Sequence, residues 1–335
     1  NMLNKISELA KTNLKISDFH LREGSNIAYR VLGEIFQDTN SLIKKVDLEE
    51  LLKKNCTEEE VQNFHKNNEL DCAINLADFR FRANFFKTLN GIAAVLRRIV
   101  TKIPSMEELN LPPIMYEVVE AHKGLVLVTG PTGSGKSTTL AAIIGKINEL
   151  RPKNIITIED PVEFIHHDKK SIISQREVGK QTSSFARALK SALREDPDVI
   201  LVGEMRDLET ISMALTAAET GHLVLGTLHT SGAPNTINRI IDVFPPGQQG
   251  QIRAQIAESL KMIITQKLIK KKDGTGRVAA FEILTCTAPI KNLIREAKVH
   301  QIPSVMQTSQ KDGMVTMEKS IEVLTQSGLI SGVIE

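Results

Sequence analysis

The run GPTGSGKST, Gly130 to Thr138, fills every fixed position of the pattern G-x-x-x-x-G-K-[ST]. Its chemistry is that of a polyphosphate cradle. Gly130, Gly133 and Gly135 let backbone N–H groups turn inward around β- and γ-phosphates, and a helix opening near Lys136 points the positive end of its dipole at them. Lys136 is expected to reach the β/γ oxygens and the Ser137 hydroxyl to sit on Mg²⁺, with Thr132, Ser134 and Thr138 completing the binding loop. The chain is therefore read as a nucleotide user.

Splitting a phosphoanhydride also calls for carboxylates, and two stretches deliver them where parallel strands should end. DVILVGE, Asp198 to Glu204, reads as an apolar strand with Glu204 at its C-terminal tip, the edge of an open α/β sheet where ligands bind. Common phosphate-loop proteins place Asp at such a tip; here Gly203 is followed by Glu204, whose longer side chain covers the same reach. IITIEDPVE, Ile155 to Glu163, delivers Glu159, Asp160 and Glu163. A carboxylate so placed holds the waters of Mg²⁺ or positions the attacking water, which makes Glu204 a candidate for metal and catalysis and Glu163 for catalysis. For Glu159 and Asp160, capping of a turn or helix is an equal reading, because Asp160 precedes Pro161. TGHLVLGTLHT, Thr220 to Thr230, sets His222 and His229 on either side of a buried strand. Seven residues apart, with no Cys or carboxylate to complete a zinc set, they are not a metal pair. Each is open to two readings: a hydrogen bond to the γ-phosphate that senses its loss, or a structural histidine.

Positioning these groups takes a strand before the loop and a helix after it. Leu125 to Val128 is an apolar run suited to a buried parallel strand, and STTLAAIIGKINEL from Ser137 has apolar residues at helical spacing. Further strands are expected at Asn154–Glu159, Val199–Val202 and His222–Thr227, alternating with helices, which predicts a mostly parallel sheet covered on both faces. The first hundred residues read as a smaller α+β module, with helices over Met2–Leu14 and Asp47–Asn67 and strands near Ser17–Leu21, Ile27–Val31, Asp71–Asn75 and Phe79–Phe85. Between the two lies IPSMEELNLPPI, Ile103 to Ile114, whose Pro104, Pro112 and Pro113 suggest a linker. KLIKKKDGTGR, Lys267 to Arg277, reads as a solvated hairpin, and the chain from Ala288 as helical.

Composition narrows the function classes. The chain has 335 residues, 41% hydrophobic and 24% charged, with a net charge of +2, ordinary for a globular protein of about two domains. Aromatic content of 4% without Trp, and no basic stripe interleaved with stacking residues, argue against a nucleic-acid motor. Cys56, Cys72 and Cys286 are too scattered for a zinc ribbon or a disulfide framework, so a reducing cytoplasm is expected. No apolar run approaches the ~18 residues that span a bilayer, and no leader pattern follows Met2.

Taken together, the boxes resemble the secretion ATPases of type II secretion and type IV pili, most closely the pilus-retraction (twitching-motility, PilT-like) branch. GPTGSGKST corresponds to the Walker A loop, ITIEDPVEF (Ile156–Phe164) to the aspartate box, ALREDPDVILVGEMRD (Ala192–Asp207) to the Walker B box and TAAETGHLVLGTLHT (Thr216–Thr230) to the histidine box. SDFHLREG (Ser17–Gly24), RVLGEI (Arg30–Ile35) and FRFRANFF (Phe79–Phe86) extend the resemblance to the first module. PIKNLIRE, Pro289 to Glu296, is similar to the retraction branch's AIRNLIRE, with Pro289 for Ala and Lys291 for Arg; Ile290, Leu293, Ile294 and Ala297 are expected to form one apolar stripe.

The resemblance implies a PAS-like N-terminal domain over residues 1–101, a linker over 102–115 and a RecA-like ATPase domain over 116–335. It implies ATP with Mg²⁺ as cofactors and a homohexamer whose sites lie between the two domains. Arg82 and Arg97 match family arginines that approach the γ-phosphate, with Arg80 and Arg98 next in line. Either Glu163 or Glu204 serves as general base. The ring is expected at the cytoplasmic face of the inner membrane, peripheral to it through a pilus platform protein, with no nucleic acid as partner. Pilus extension or type II secretion by the same family is the alternative.

Overall fold

In a computed structural model of the chain, residues 1–76, 79–99 and 102–332 are described. The chain divides into two compact units, Asn1–Lys102 and Ile103–Glu335. The boundary expected after residue 101 adjoins Val100 and Thr101, which lie outside the described residues, as do residues 333–335 of the expected ATPase domain.

The first unit runs α1 (Met2–Thr12), β1 (Ile16–Arg22), β2 (Asn26–Val31), β3 (Glu34–Leu42), α2 (Lys45–Asn55), α3 (Glu58–Asn67), β4 (Glu69–Leu76), β5 (Phe79–Thr88) and β6 (Gly91–Ile99). Its strands form a six-stranded sheet in the order β3-β2-β1-β6-β5-β4, every neighbour antiparallel. Alternate residues point to one face, so Phe19, Phe81, Phe85 and Leu96 bury against Ile6, Leu48, Leu51 and Phe64 of the helices. The opposite register sets Asp18, Arg82 and Arg97 on the other face. Two differences from the sequence reading have local causes. The helix expected over Asp47–Asn67 is broken at Thr57, whose hydroxyl accepts from Glu60 N while the Glu60 carboxylate accepts from Thr57 N, a capping box that starts α3 anew. Strand β3 has no buried residue, so no apolar alternation announces it.

The second unit runs α4 (Tyr116–Glu120), β7 (Gly124–Thr129), α5 (Lys136–Leu150), β8 (Asn154–Glu159), β9 (Ile172–Glu177), α6 (Phe185–Ala192), β10 (Val199–Val202), α7 (Leu208–Glu219), β11 (Leu223–Leu228), α8 (Ala233–Asp242), α9 (Gln249–Ser259), β12 (Leu260–Lys270), β13 (Arg277–Thr285), α10 (Ala288–Arg295), α11 (Ile302–Gln307) and α12 (Met317–Gln326). The seven-stranded sheet has the order β13-β12-β7-β11-β10-β8-β9 and is parallel except for the β12/β13 hairpin. Leu125 and Leu127 bury with α6 to α10 on one face, whereas Val126 and Val128 bury with α4 and α5 on the other. Coverage on both faces is why β7 is an unbroken apolar run rather than an alternating one.

The proline-rich stretch is not a free connector. Met106 and Met115 are fully buried and Leu111 is nearly so, all in the core beneath α5. At the far end, Ile290 and Ile294 of α10 are buried with Leu293 packed beside them, but Ala297 is exposed. Its φ of 57° makes it a left-handed residue past the helix end, which removes it from the expected stripe.

Candidate functional site

The phosphate loop joins β7 to α5 at the C-terminal edge of the sheet. Gly130, Gly133 and Gly135 have φ of 145°, 81° and 88°, conformations that a side chain would strain. Helix α5 begins after Gly135 with no side-chain cap and no acidic residue in its first turn, which leaves its N–H groups open to an anion. Ser134 Oγ is buried without a hydrogen-bond partner. A nest of amides, an uncapped helix start and an orphaned hydroxyl together fit a polyphosphate ligand. Thr132, Gly133 and Ser137 are exposed around them, with Thr138 half-buried.

Lys136 is folded back on its own loop. Its ammonium donates to the carbonyls of Gly130 and Pro131 and to His229 Nδ1 at 2.9 Å. Because an ammonium only donates, Nδ1 is the acceptor and the imidazole proton sits on Nε2, which donates to Glu204 Oε1 at 3.0 Å. Arg206 donates to the other oxygen of Glu204. Hydrogen bonding to Arg206 holds the Glu204 carboxyl below the usual range, with burial opposing, while burial pulls the Lys136 ammonium down against the attraction of Glu204.

Sheet order explains this chain of contacts. Strand β11 lies between β7 and β10, so His229 just past its tip sits between the loop of β7 and Glu204 beyond β10. Gly203 lets β10 end tightly against β8: a Cβ there would meet Ile158 O at 3.0 Å and Glu159 Cα at 3.2 Å.

His222 belongs elsewhere, and its assignment to the nucleotide is corrected. It precedes β11 at the opposite edge of the sheet, where Nδ1 donates to Ala217 O at 2.9 Å. A six-residue strand separates it from the loop edge, roughly 20 Å at the rise of a parallel strand. Glu159 also turns inward, its Oε2 accepting from Thr157 and Gln175. Glu163 is half-buried on the segment after β8.

Arg82 and Arg97 are directly opposite on β5 and β6, both exposed, and Arg97 Nε donates to Asp18 Oδ1 at 3.0 Å. Arg98 has a structural task, donating to the carbonyls of Ala10 and Asn13 at the end of α1. Arg80 is buried in the same unit.

Two residues escaped the sequence reading. Gln266 on β12 is 4% exposed and accepts from Thr139 on α5. Glu282 on β13 accepts from Ala233 N at 2.9 Å and so fixes the start of α8, directly after the His229 loop. A polar side chain inside an otherwise apolar strand was the available signal for both. Burial raises the Glu282 carboxyl above its usual value, opposed by the Ala233 bond and reinforced by Glu318. The folded state therefore holds this proton more tightly than the unfolded chain, and the stability it contributes is lost as pH rises from the ordinary carboxyl range through the raised value. Glu282→Gln keeps the acceptor for Ala233 and removes the titration. Thermal melting from about pH 4 to pH 7 should show the variant gaining on wild type as pH rises. A pH-independent difference would refute this.

Comparison with known proteins places this geometry. A family model described as "Type II/IV secretion system protein" matches residues 27–330. A twitching motility protein of Neisseria gonorrhoeae is 57% identical over 269 residues, 80% of this chain and 72% of that protein. The type IV pilus retraction ATPase PilT of Pseudomonas aeruginosa is 47% identical over 97% of this chain and 95% of its own length. A crystal structure of the pilus retraction motor PilT with bound ADP superposes with a TM-score of 0.86 at 44% identity, covering 99% of this chain and 97% of that one. The chain thus belongs to the type II/IV secretion system protein family.

Proposed function

We propose that this chain is an ATP hydrolase that drives type IV pilus retraction, working as a homohexameric ring at the cytoplasmic face of the inner membrane through a platform protein. The observation that carries the reading is the Lys136–His229–Glu204 chain, which ties the phosphate loop to the carboxylate at the end of β10. Its relatives support the direction of the motor, since both the twitching motility protein and PilT align over most of their length. The second unit is taken as a RecA-like ATPase domain and the first as PAS-like. No helix among the described residues is long and apolar enough to cross a membrane, consistent with attachment through a partner.

The site performs hydrolysis as follows. Amides of residues 130–138 and the start of α5 bind the β- and γ-phosphates of ATP, and Lys136 leaves its loop carbonyls for their oxygens. Ser137 and Glu204 are the residues that would hold Mg²⁺, whose charge draws electron density from the scissile bond. Glu204 is already occupied by two donors and held anionic, which suits it to a cation. Glu163 is assigned to orient the attacking water and take its proton. His229, released from Lys136, faces the terminal phosphate region, where its Nδ1 takes up a proton from solvent before it can donate to a phosphate oxygen, Nε2–H staying on Glu204. Arg82 and Arg97 supply positive charge to the phosphoryl group as it transfers, a contact felt mainly in the transition state.

Phosphate release followed against protein concentration, alongside gel filtration, tests enzyme and assembly together. Turnover should rise steeply as hexamer forms, and deleting the gene should leave surface pili that no longer shorten. Activity confined to monomer, or normal retraction without the gene, would sink the reading.

A further inference from the structure

We propose that Gln266 is a positioning residue for the phosphate loop, acting through Thr139 to hold the loop in its nucleotide-receptive shape. The inference rests on reading residues 130–138 as the nucleotide-phosphate loop.

Strand β12 runs parallel beside β7, and Thr265 is paired with Thr129, the last residue before the loop. Their hydroxyls are 2.8 Å apart, which locks the two strand ends together. Gln266 is the next residue along and lies beneath both ends of the loop. Its backbone carbonyl oxygen is 2.5 Å from where a Cβ on Gly130 would stand, beside Ser134 Oγ at 2.6 Å, and its side-chain Nε2 is 2.7 Å from where a Cβ on Gly135 would stand. At Gly135 the missing side chain leaves room for the Gln266 amide itself, and at Gly130 for the backbone of the same residue. The Gln266 amide then crosses to α5, where Oε1 accepts from Thr139 Oγ1 at 2.5 Å. Thr139 is 1% exposed and its own N–H donates to Gly135 O, which closes a circuit from β12 through the first turn of α5 back to the loop.

A glutamine buried in an apolar strand costs free energy unless it is hydrogen-bonded, and here its bond is spent on the helix that opens the phosphate site. Without it, Thr139 keeps an unsatisfied buried hydroxyl and the helix start is free to shift against the loop. Loss of loop geometry weakens ground state and transition state alike, so binding falls while the chemical step proceeds once nucleotide is bound.

The test uses the full chain. Gln266→Met keeps an unbranched buried side chain of similar size and removes the amide. It should raise KM for ATP and Kd for ADP about tenfold, the order expected for one buried hydrogen bond, with kcat changed less than about twofold. Thr139→Val should raise KM by the same factor, Thr139→Ser should restore it to within about twofold of wild type, and Gln266→Met with Thr139→Val should be no worse than either alone. A role in folding alone would lower the melting temperature with KM unchanged. KM within about twofold of wild type in Gln266→Met overturns the proposal, and if that variant does not fold, the Thr139 pair decides by the same criterion. Glu204→Gln is the control: if it hydrolyses ATP as fast as wild type, the nucleotide-site reading fails, whereas loss of activity there beside an unaltered Gln266→Met defeats the positioning role alone.

Discussion

Glu204→Gln is expected to lower steady phosphate release by about two to three orders of magnitude, as loss of a preorganised charge at a reacting phosphate does. The geometry explains why so small a change matters. Both Glu204 oxygens accept, one from His229 and one from Arg206. An amide offers one acceptor and one donor, so one of these contacts must become donor against donor. If His229 is the partner lost, its tautomer reverses and an N–H faces the Lys136 ammonium, so that contact is broken. If Arg206 is the partner lost, the guanidinium swings away and the region loses its charge balance. Nucleotide binding should persist, because the loop amides are untouched. Turnover within about tenfold of wild type at saturating ATP would contradict this account.

Arg82→Ala combined with Arg97→Ala should cost roughly a thousandfold in turnover, the low end of what a transferred-phosphoryl arginine supplies. The two side chains leave opposite positions on β5 and β6, and Asp18 holds the Arg97 head while Arg82 stays exposed beside it. Burial alone would raise the Asp18 carboxyl, but hydrogen bonds from Ser17 and Arg97 outweigh it and keep the anion that anchors Arg97. On the proposed role, in which these cations act on charge that develops during transfer, ATP affinity should change little. A double variant that still assembles as a ring and turns over within about tenfold of wild type would remove both arginines from the mechanism.

How much of this was readable in one dimension depended on whether position follows from spacing. The phosphate loop did, because its glycines, its lysine and its flanking strand and helix are contiguous. Glu204 did, because an apolar run ending in an acid names its own tip. The two histidines did not separate, although strand polarity alone could have divided them: only the residue after the C-terminal end of β11 can face the loop. The Lys136–His229–Glu204 contact was out of reach because it depends on β11 inserting between β7 and β10, and strand order is not written locally. Gln266 was missed for the same reason, its partner Thr139 lying 127 residues away. In the first unit, β3 escaped because an edge strand with neither face buried carries no hydrophobic period.

The self-folded ammonium has one more effect. Lys136 already donates to its own loop carbonyls and to an imidazole, and must give up these contacts before it can reach a phosphate oxygen. Any incoming guest must evict these internal rivals, and spent product meets them waiting to return. Part of the free energy gained on nucleotide binding is offset by the loss of these internal bonds.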